Sequence, residues 1–481
     1  MNEFKKCFNK SQKNRNESSN GSNNREETLI YGLDDVPPWF LTIFMALQHY
    51  LTMISAIISI PFILTPALCM KEDDPNKSYI IATMIFVTAI VTFLQVTFGC
   101  RLPIVQGGTI SFLIPTLAIL NQPQWKCPSD DIIGSMSQEN RTEVWQIRMR
   151  ELSGAIIVSA LFQMFLGYFG SASLSCLINS VLVAIIVMWV FSATLTFIDY
   201  FPIGHPARTD TKLKIMSNVS WFRIPYPCQW GWPTFSLSSI LGMLAGVFAC
   251  TAESLGYYPI VAKMSGGPPP PLHVINRGIG TEGLGTVLAG IYGCGNGTNT
   301  FGENVGTIGV TKIGSRRVIQ VLCILMLLQG VCIKFATLFI IIPDPIVGGI
   351  FCVMFGMITA FGLSALQYID LNSSRNLFIL GFTLLFSLAL PKWLKNNPGA
   401  IQTGFPVLDN TLTVLLSTSI LVGGVLGCFM DNLIPGTDEE RGLIAWSNQM
   451  QLTVTTNEEA CEHEINYRTY DFPVGMKFIK K

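Results

Sequence analysis

Charge is what this 481-residue chain has least of: 13% of its residues are Asp, Glu, Lys or Arg, about half the share of an ordinary soluble domain. Lys and Arg number 31 and so do Asp and Glu, so no net charge points to nucleic acid as a partner. Histidine is scarce, and no CxxC pair or Cys/His cluster has the spacing of a metal site, which excludes a structural zinc reading. A lone Ser or His without partner motifs is not a catalytic triad, and no paired-Asp motif appears, so an enzyme is not expected. No cofactor motif is present, so none is expected either. The chain begins without a cleavable signal: Met1 to Asp35 is polar and rich in Asn, Ser and Lys, and reads as an unstructured tail. Thirteen cysteines do not make a disulfide scaffold, because most lie in apolar stretches where a free Cys behaves as a small hydrophobe.

Apolar length is what is there. The chain is 49% hydrophobic with a mean hydropathy of +0.45, and runs long enough to cross a bilayer recur along it. The pattern predicts an all-α polytopic membrane protein with twelve segments, near 37–64, 78–99, 102–120, 153–170, 174–198, 236–262, 273–294, 298–315, 318–342, 345–366, 374–390 and 410–430. The third, "PIVQGGTISFLIPTLAIL", and the eighth, "TFGENVGTIGVTKIGSRR", are short, Gly-bearing and polar in the middle. Irregular backbone at membrane depth survives only where protein buries it or a cavity borders it. Two interrupted segments, one in each half, mark a transporter site at an inverted-repeat interface.

Charge bias and sequons place both termini in the cytoplasm. Asn140-Arg-Thr142 and Asn218-Val-Ser220 then fall in long outer loops and are glycosylation candidates. Cys69, Cys127 and Cys228 also face outside, where two of them are placed to form a bridge.

Two carboxylates, Glu253 and Glu303, lie inside expected spans, where a charge costs about 2.5–3.5 kcal/mol on insertion scales. Such groups face a partner, a cavity or a pathway. Few cations are near in sequence: Lys312 and Lys334 are the nearest within spans, and both sit near span ends. An ionised carboxylate accepts two N–H donors side by side, and backbone amides freed by a glycine break serve a ligand's carbonyls. A compact, planar, uncharged substrate fits this set; holding Na⁺ or carrying a proton is the alternative. Gln48 and His49 lie within the first segment, where His is either a packing residue or a pathway group.

These residues resemble the nucleobase–ascorbate transporter family. Glu303-Asn304-Val305-Gly306, followed four residues later by Thr311-Lys312, matches its signature; "ALQHYLTM", "QGGTISFLIP", "TAESLGYYPIVAKMSGGPPPPLHVINRGIGTEG" and "FGMITAFGLSALQYIDLNSSRNLFILGF" extend the likeness over most of the chain. The resemblance implies an inverted-repeat fold of core and gate, with fourteen segments in the family against about twelve here. It implies substrate contacts from Glu253 and Glu303, from backbone near Phe112 and Gly302, and from Ser111, Phe301 and Asn304. Gln48, His49, Ser254, Tyr257 and Thr311 become pathway or coupling candidates. Animal ascorbate carriers of the family have Pro where Glu303 stands, so the likeness favours a plasma-membrane, Na⁺-coupled carrier of uracil, thymine, guanine, hypoxanthine and analogues, working by alternating access. Na⁺, the lipid bilayer and a second copy of the chain are the implied partners, and no Na⁺ ligand set is assignable.

One departure matters. "FLGYFG" is followed at once by "SASLSCLINSVLVAIIVMWVFSATLTFIDYFP", which resembles the family's seventh segment. The fifth and sixth are missing. The expected organisation is therefore an N-terminal tail (1–36), first-repeat core (37–170), a remnant gate segment with an outer loop (171–235), second-repeat core (236–342), second-repeat gate (343–430) and a cytoplasmic tail (431–481). The competing readings are an ascorbate carrier and a truncated, non-transporting or regulatory form.

Overall fold

Apolar sequence becomes helix wherever its backbone must satisfy itself away from water. The computed structural model describes residues 29–169 except 72, 73, 130, 131, 134 and 135; 219–343 except 341; 345–349; 369–442 except 398; 468–471; and isolated positions between 194 and 216 and between 351 and 366. The helices are α1 (Trp39–Ala67), α2 (Asn76–Thr97), α3 (Ile110–Leu120), α4 (Gln138–Phe169), α5 (Leu237–Met264), α6 (Leu272–Ile291), α7 (Gly302–Thr311), α8 (Arg316–Val331), α9 (Ile333–Ile340), α10 (Ser374–Asn396), α11 (Pro406–Ser417) and α12 (Ser419–Leu433). Among the described residues α1, α2, α5 and α10 are long and apolar enough to cross a membrane. The expected segment 174–198 lies almost wholly outside the described residues, as does Asn218, and of 345–366 only 345–349, 351, 356, 359 and 366 are described.

The two interrupted segments are strand-then-helix units. β1 (Gln106–Gly108) precedes α3, and β2 (Thr298–Thr300) precedes α7. The strands pair antiparallel with Gln106 opposite Thr300 and Gly108 opposite Thr298. Their pairing satisfies the extended backbone that the bilayer could not, and it brings the N-termini of the two short helices to one place. Gly107 and Gly297 allow this approach: a Cβ on Gly107 would stand 2.3 Å from the Phe301 ring, and one on Gly297 2.4 Å from the Phe112 ring.

Several boundaries differ from the sequence reading. The fourth segment, expected from 153, is a helix from Gln138. Its polar first half is held by the stretch that precedes α5. Trp145 packs edge-on to Trp230 at 4.9 Å, Arg150 Nε donates to Trp230 O at 2.7 Å, and the hydroxyls of Thr234 and Ser236 donate to Glu151. Asn140 is exposed on this helix's first turn. The span expected at 318–342 breaks at Cys332 between α8 and α9, where the 219–222 strand-like stretch bridges Phe222 to Cys332. The span expected at 410–430 bends by 80° at Thr418, between α11 and α12. Cys69 and Cys127 form a disulfide that ties the end of α1 to the loop after α3; Cys228 is a free thiol.

The tails are corrected too. Residues expected in an unstructured stretch to 36 are packed from about 30 onward: Ile30 N–H donates to Lys312 O at 2.9 Å and Gly314 N–H to Tyr31 O at 2.9 Å. Part of the C-terminal tail docks beside them. Tyr470 is buried; its hydroxyl donates to Pro268 O at 2.5 Å. Arg277 donates to Tyr470 O at 2.8 Å, while Arg316 donates to Thr469 Oγ1 at 2.7 Å and pairs with Asp34. Local propensity gave no warning, because the docking depends on charge and one aromatic ring meeting a surface built elsewhere. Tyr470→Ala is expected to release residues 468–471 while the helices stay folded. Limited proteolysis checks this: the variant loses its C-terminal tail faster than wild type, with no change in cleavage elsewhere.

Candidate substrate site between two half-helices

A short helix begins with backbone N–H groups that have no partner in the helix and with a partial positive charge. α3 and α7 bring two such ends to the paired strands. In α3, Thr109 spends its side chain on the Ser111 N–H at 3.2 Å. In α7, Phe301 supplies no side-chain cap, so its opening amides stay available to a ligand, with Glu303 in the first turn.

The candidates fall into three groups. Glu253, Ser111 and Ser254 meet. Glu253 Oε2 accepts from Ser111 Oγ at 3.2 Å and from Asn299 Nδ2. Ser254 Oγ lies 2.6 Å from Asn299 Oδ1, 2.8 Å from Glu282 Oε1 and 3.1 Å from Thr300 Oγ1. Glu303, Gly302 and Tyr257 form the facing wall. Glu303 is half-buried and lies near enough to Glu253 for their charges to repel. Neither Glu253 nor Glu303 takes a cation among the described residues. Lys334, expected as a nearby cation, instead donates to Met216 O and lies 5.7 Å from the Trp221 ring centroid.

The third group points elsewhere. Phe112 is a fully buried packing ring wedged by Gly246 and Gly297. Phe301 is buried against Gly107 in the same way, and its backbone N–H donates to Val105 O at 2.9 Å, so both rings serve packing. Asn304 turns from the site to α1: its Nδ2 lies 3.1 Å from His49 Nδ1 and donates to His49 O at 3.0 Å. His49 is correspondingly buried, a clamp between α1 and α7, and Gln48 beside it is half-buried. Thr311 returns its hydroxyl to Thr307 O at 2.8 Å, near the far end of α7 and about 13 Å from Gly302 along the axis.

Residues outside the sequence candidates complete the centre. Glu282 on α6 is wholly buried and accepts from Tyr258 Oη at 3.0 Å. Gln95 Nε2 donates to that tyrosine oxygen at 2.9 Å. Asn299, on β2, joins Glu253 to Ser254. The signal for Glu282 was present, since an acid inside the span "RGIGTEGLGTVLAG" obeys the same intramembrane-charge argument as Glu253. Asn299 carried no comparable signal; only the strand pairing places it.

Gly302 sets the width of the site. A Cβ there would stand 2.5 Å from Tyr257 Oη, so Gly302→Ala must push the tyrosine or the half-helix. Overpacking of this kind costs about 1–3 kcal/mol. The variant is expected to bind ligand at least about tenfold more weakly with near-normal yield, which equilibrium binding on the purified chain checks.

The comparisons with known proteins agree on a class. The sequence pattern of the Permease family matches residues 40–179 and 175–396. Solute carrier family 23 member 1 of Mus musculus is 39% identical, with 94% of this chain and 87% of that protein covered. Solute carrier family 23 member 2 of Homo sapiens is also 39% identical, over 94% of this chain and 81% of its own length. Nucleobase-ascorbate transporter 1 of Arabidopsis thaliana is 30% identical, over 87% and 92%. The alignment with the mouse protein spans 532 positions, more than the 481 residues present, so that relative has stretches with no counterpart here.

Proposed function

This chain belongs to the nucleobase–ascorbate family of solute carrier family 23 type, multi-pass membrane transporters rather than enzymes, and from that premise we propose that it binds uncharged nucleobases, uracil among them, as a Na⁺-coupled carrier of the plasma membrane with both termini cytoplasmic. The observation that carries the reading is that Glu253 and Glu303 lie near enough for their charges to act on each other, and neither takes a cation among the described residues. Carboxylates accept N–H groups. A pyrimidine or purine base presents N–H beside C=O, so its N–H edge meets a glutamate while the opening amides of α7 meet a carbonyl. Ascorbate is an anion at neutral pH and would bring a third negative charge to the two glutamates. Several relatives bear names that include ascorbate or both substrates, so the choice rests on this charge argument. Na⁺ coupling is supported by the likeness to the animal members alone.

A second reading has its own support. The family pattern matches in two pieces that meet at residues 175–179, where the resemblance puts the loss of the family's fifth and sixth segments, and a relative's alignment is longer than the chain. A carrier that has lost part of one gate repeat keeps its binding core but lacks the surface against which the core rocks. This form would bind substrate without moving it, and a second copy or a full-length subunit would be its partner. Equilibrium binding of labelled uracil to the purified chain, beside uptake into proteoliposomes with and without Na⁺, separates the readings. Binding with Na⁺-dependent uptake supports the carrier. Binding without uptake supports the truncated form. Saturable ascorbate binding that excludes uracil overturns the nucleobase assignment.

A further inference from the structure

We propose that Glu282 and Glu253 share a single proton through Ser254 and Asn299, so that one carboxyl of the pair is ionised and the other neutral at any moment. Four side chains make three polar contacts in series: Glu282 to Ser254 at 2.8 Å, Ser254 to Asn299 at 2.6 Å, and Asn299 to Glu253. Each contact needs one hydrogen between its heavy atoms. Ser254 supplies one, and the Asn299 amide supplies one, because only its nitrogen end donates. Three contacts and two hydrogens leave one contact without a proton if both glutamates are ionised.

The count is independent of which way the amide lies. With Asn299 nitrogen toward Glu253, the serine hydrogen goes to Asn299 oxygen, and the Glu282–Ser254 contact is closed by a proton on Glu282. Turned over, Asn299 nitrogen donates to Ser254, the serine hydrogen goes to Glu282, and the Glu253–Asn299 contact is closed by a proton on Glu253. Both arrangements contain the same atoms and carry the same net charge. Between them one proton leaves Glu282, one arrives on Glu253, and the amide reverses. The pair titrates as a unit, not as two separate acids.

The surroundings hold the proton in this chain. Tyr258 Oη donates to Glu282 at 3.0 Å. The other titratable or charged groups close enough to act on the pair are Glu303, Cys100 and Cys250; Arg277, on α6 itself, acts on Cys100 beside it. No cation joins the series among the described residues. Glu253, the half-buried member, faces the candidate ligand space, and Glu282 lies behind it. Glu253 accepts a ligand N–H only while the proton rests on Glu282, which makes Glu282 a positioning residue for the site. That consequence rests on the nucleobase reading; the shared proton does not.

Infrared spectroscopy of the purified chain in lipid tests it without ligand. A neutral carboxylic acid has a carbonyl stretch well separated from those of a carboxylate. At neutral pH, wild type is expected to show one such deuterium-sensitive band that disappears in Glu282→Gln and equally in Glu253→Gln. In each variant the new amide supplies the missing hydrogen and leaves the remaining acid ionised. Glu303→Gln is expected to retain the band. Should Glu282→Gln fail to fold, Glu253→Gln on the more open member gives the same readout. Two results overturn the proposal: difference spectra in which only carboxylate stretches are lost, or a neutral-acid band that survives in Glu253→Gln.

Discussion

Replacing Glu303 by Gln is expected to weaken uracil binding about 10- to 100-fold while leaving yield and helix content unchanged. The side chain is near-isosteric, and the half-buried Glu303 takes no cation among the described residues, so the free protein gives up little. A hydrogen bond to a charged group is worth about 1.5–3 kcal/mol, and each 1.4 kcal/mol is about tenfold in affinity. Glu303→Asp keeps the charge but withdraws it by one methylene, so an intermediate loss is expected. Equilibrium binding of labelled uracil checks both variants. Equal affinity in wild type and Glu303→Gln would remove Glu303 from the substrate site.

The second large effect is expected outside the site. The Cys69–Cys127 disulfide closes a separation of 58 residues, and the chain-entropy account assigns such a loop about 4 kcal/mol of stabilisation. That figure is an upper bound in a bilayer, where helices persist in the unfolded state and the loop is already restricted. The loop contains α2, β1 and α3, so losing the bridge frees the C-terminal end of the first half-helix. Cys69→Ser with Cys127→Ser is expected to lower the unfolding temperature in detergent by several degrees and to abolish the effect of reductant. Treatment of wild type with reductant should reproduce the double variant. No shift in either would show that the loop after α3 is held by other contacts, such as Arg148 donating to Trp125 O and Lys126 O at 3.2 Å.

The interrupted segments were legible because their sequence breaks two rules at once: glycines cluster and polar residues recur inside runs otherwise apolar. Residues 106–108 and 298–300 then form the paired strands, and α3 and α7 follow them. Glu253 was legible by its cost. Glu282 obeys the same rule and carries the same signal inside its glycine-rich span. Asn299 was not legible, because its role depends on a register between strands almost 200 residues apart, and no local pattern encodes that. His49 and Asn304 were both noted, but their partnership was not, since each reads locally as a polar residue on a helix. The bend at Thr418 and the break at Cys332 had no strong breaker such as Pro at the hinge, so hydropathy alone ran through them.

The docked tail segments were hidden for a related reason. Residues 468–471 are polar and short, and composition assigns such a stretch to solvent. Three arginines on other elements reverse that assignment: Arg277 and Arg316 bond to it directly, and Arg101 lies close enough for Asp34 and Asp471 to act on its charge.

The central claim is that the core of this chain is a binding site for an uncharged base built on Glu253 and Glu303. The measurement closest to it is equilibrium binding of labelled uracil to the purified wild-type chain, Glu303→Gln and Glu253→Gln, with unlabelled ascorbate as competitor. The account predicts saturable binding to wild type that ascorbate does not displace and that both variants lose. Binding that ascorbate displaces, or that both variants retain, would contradict it.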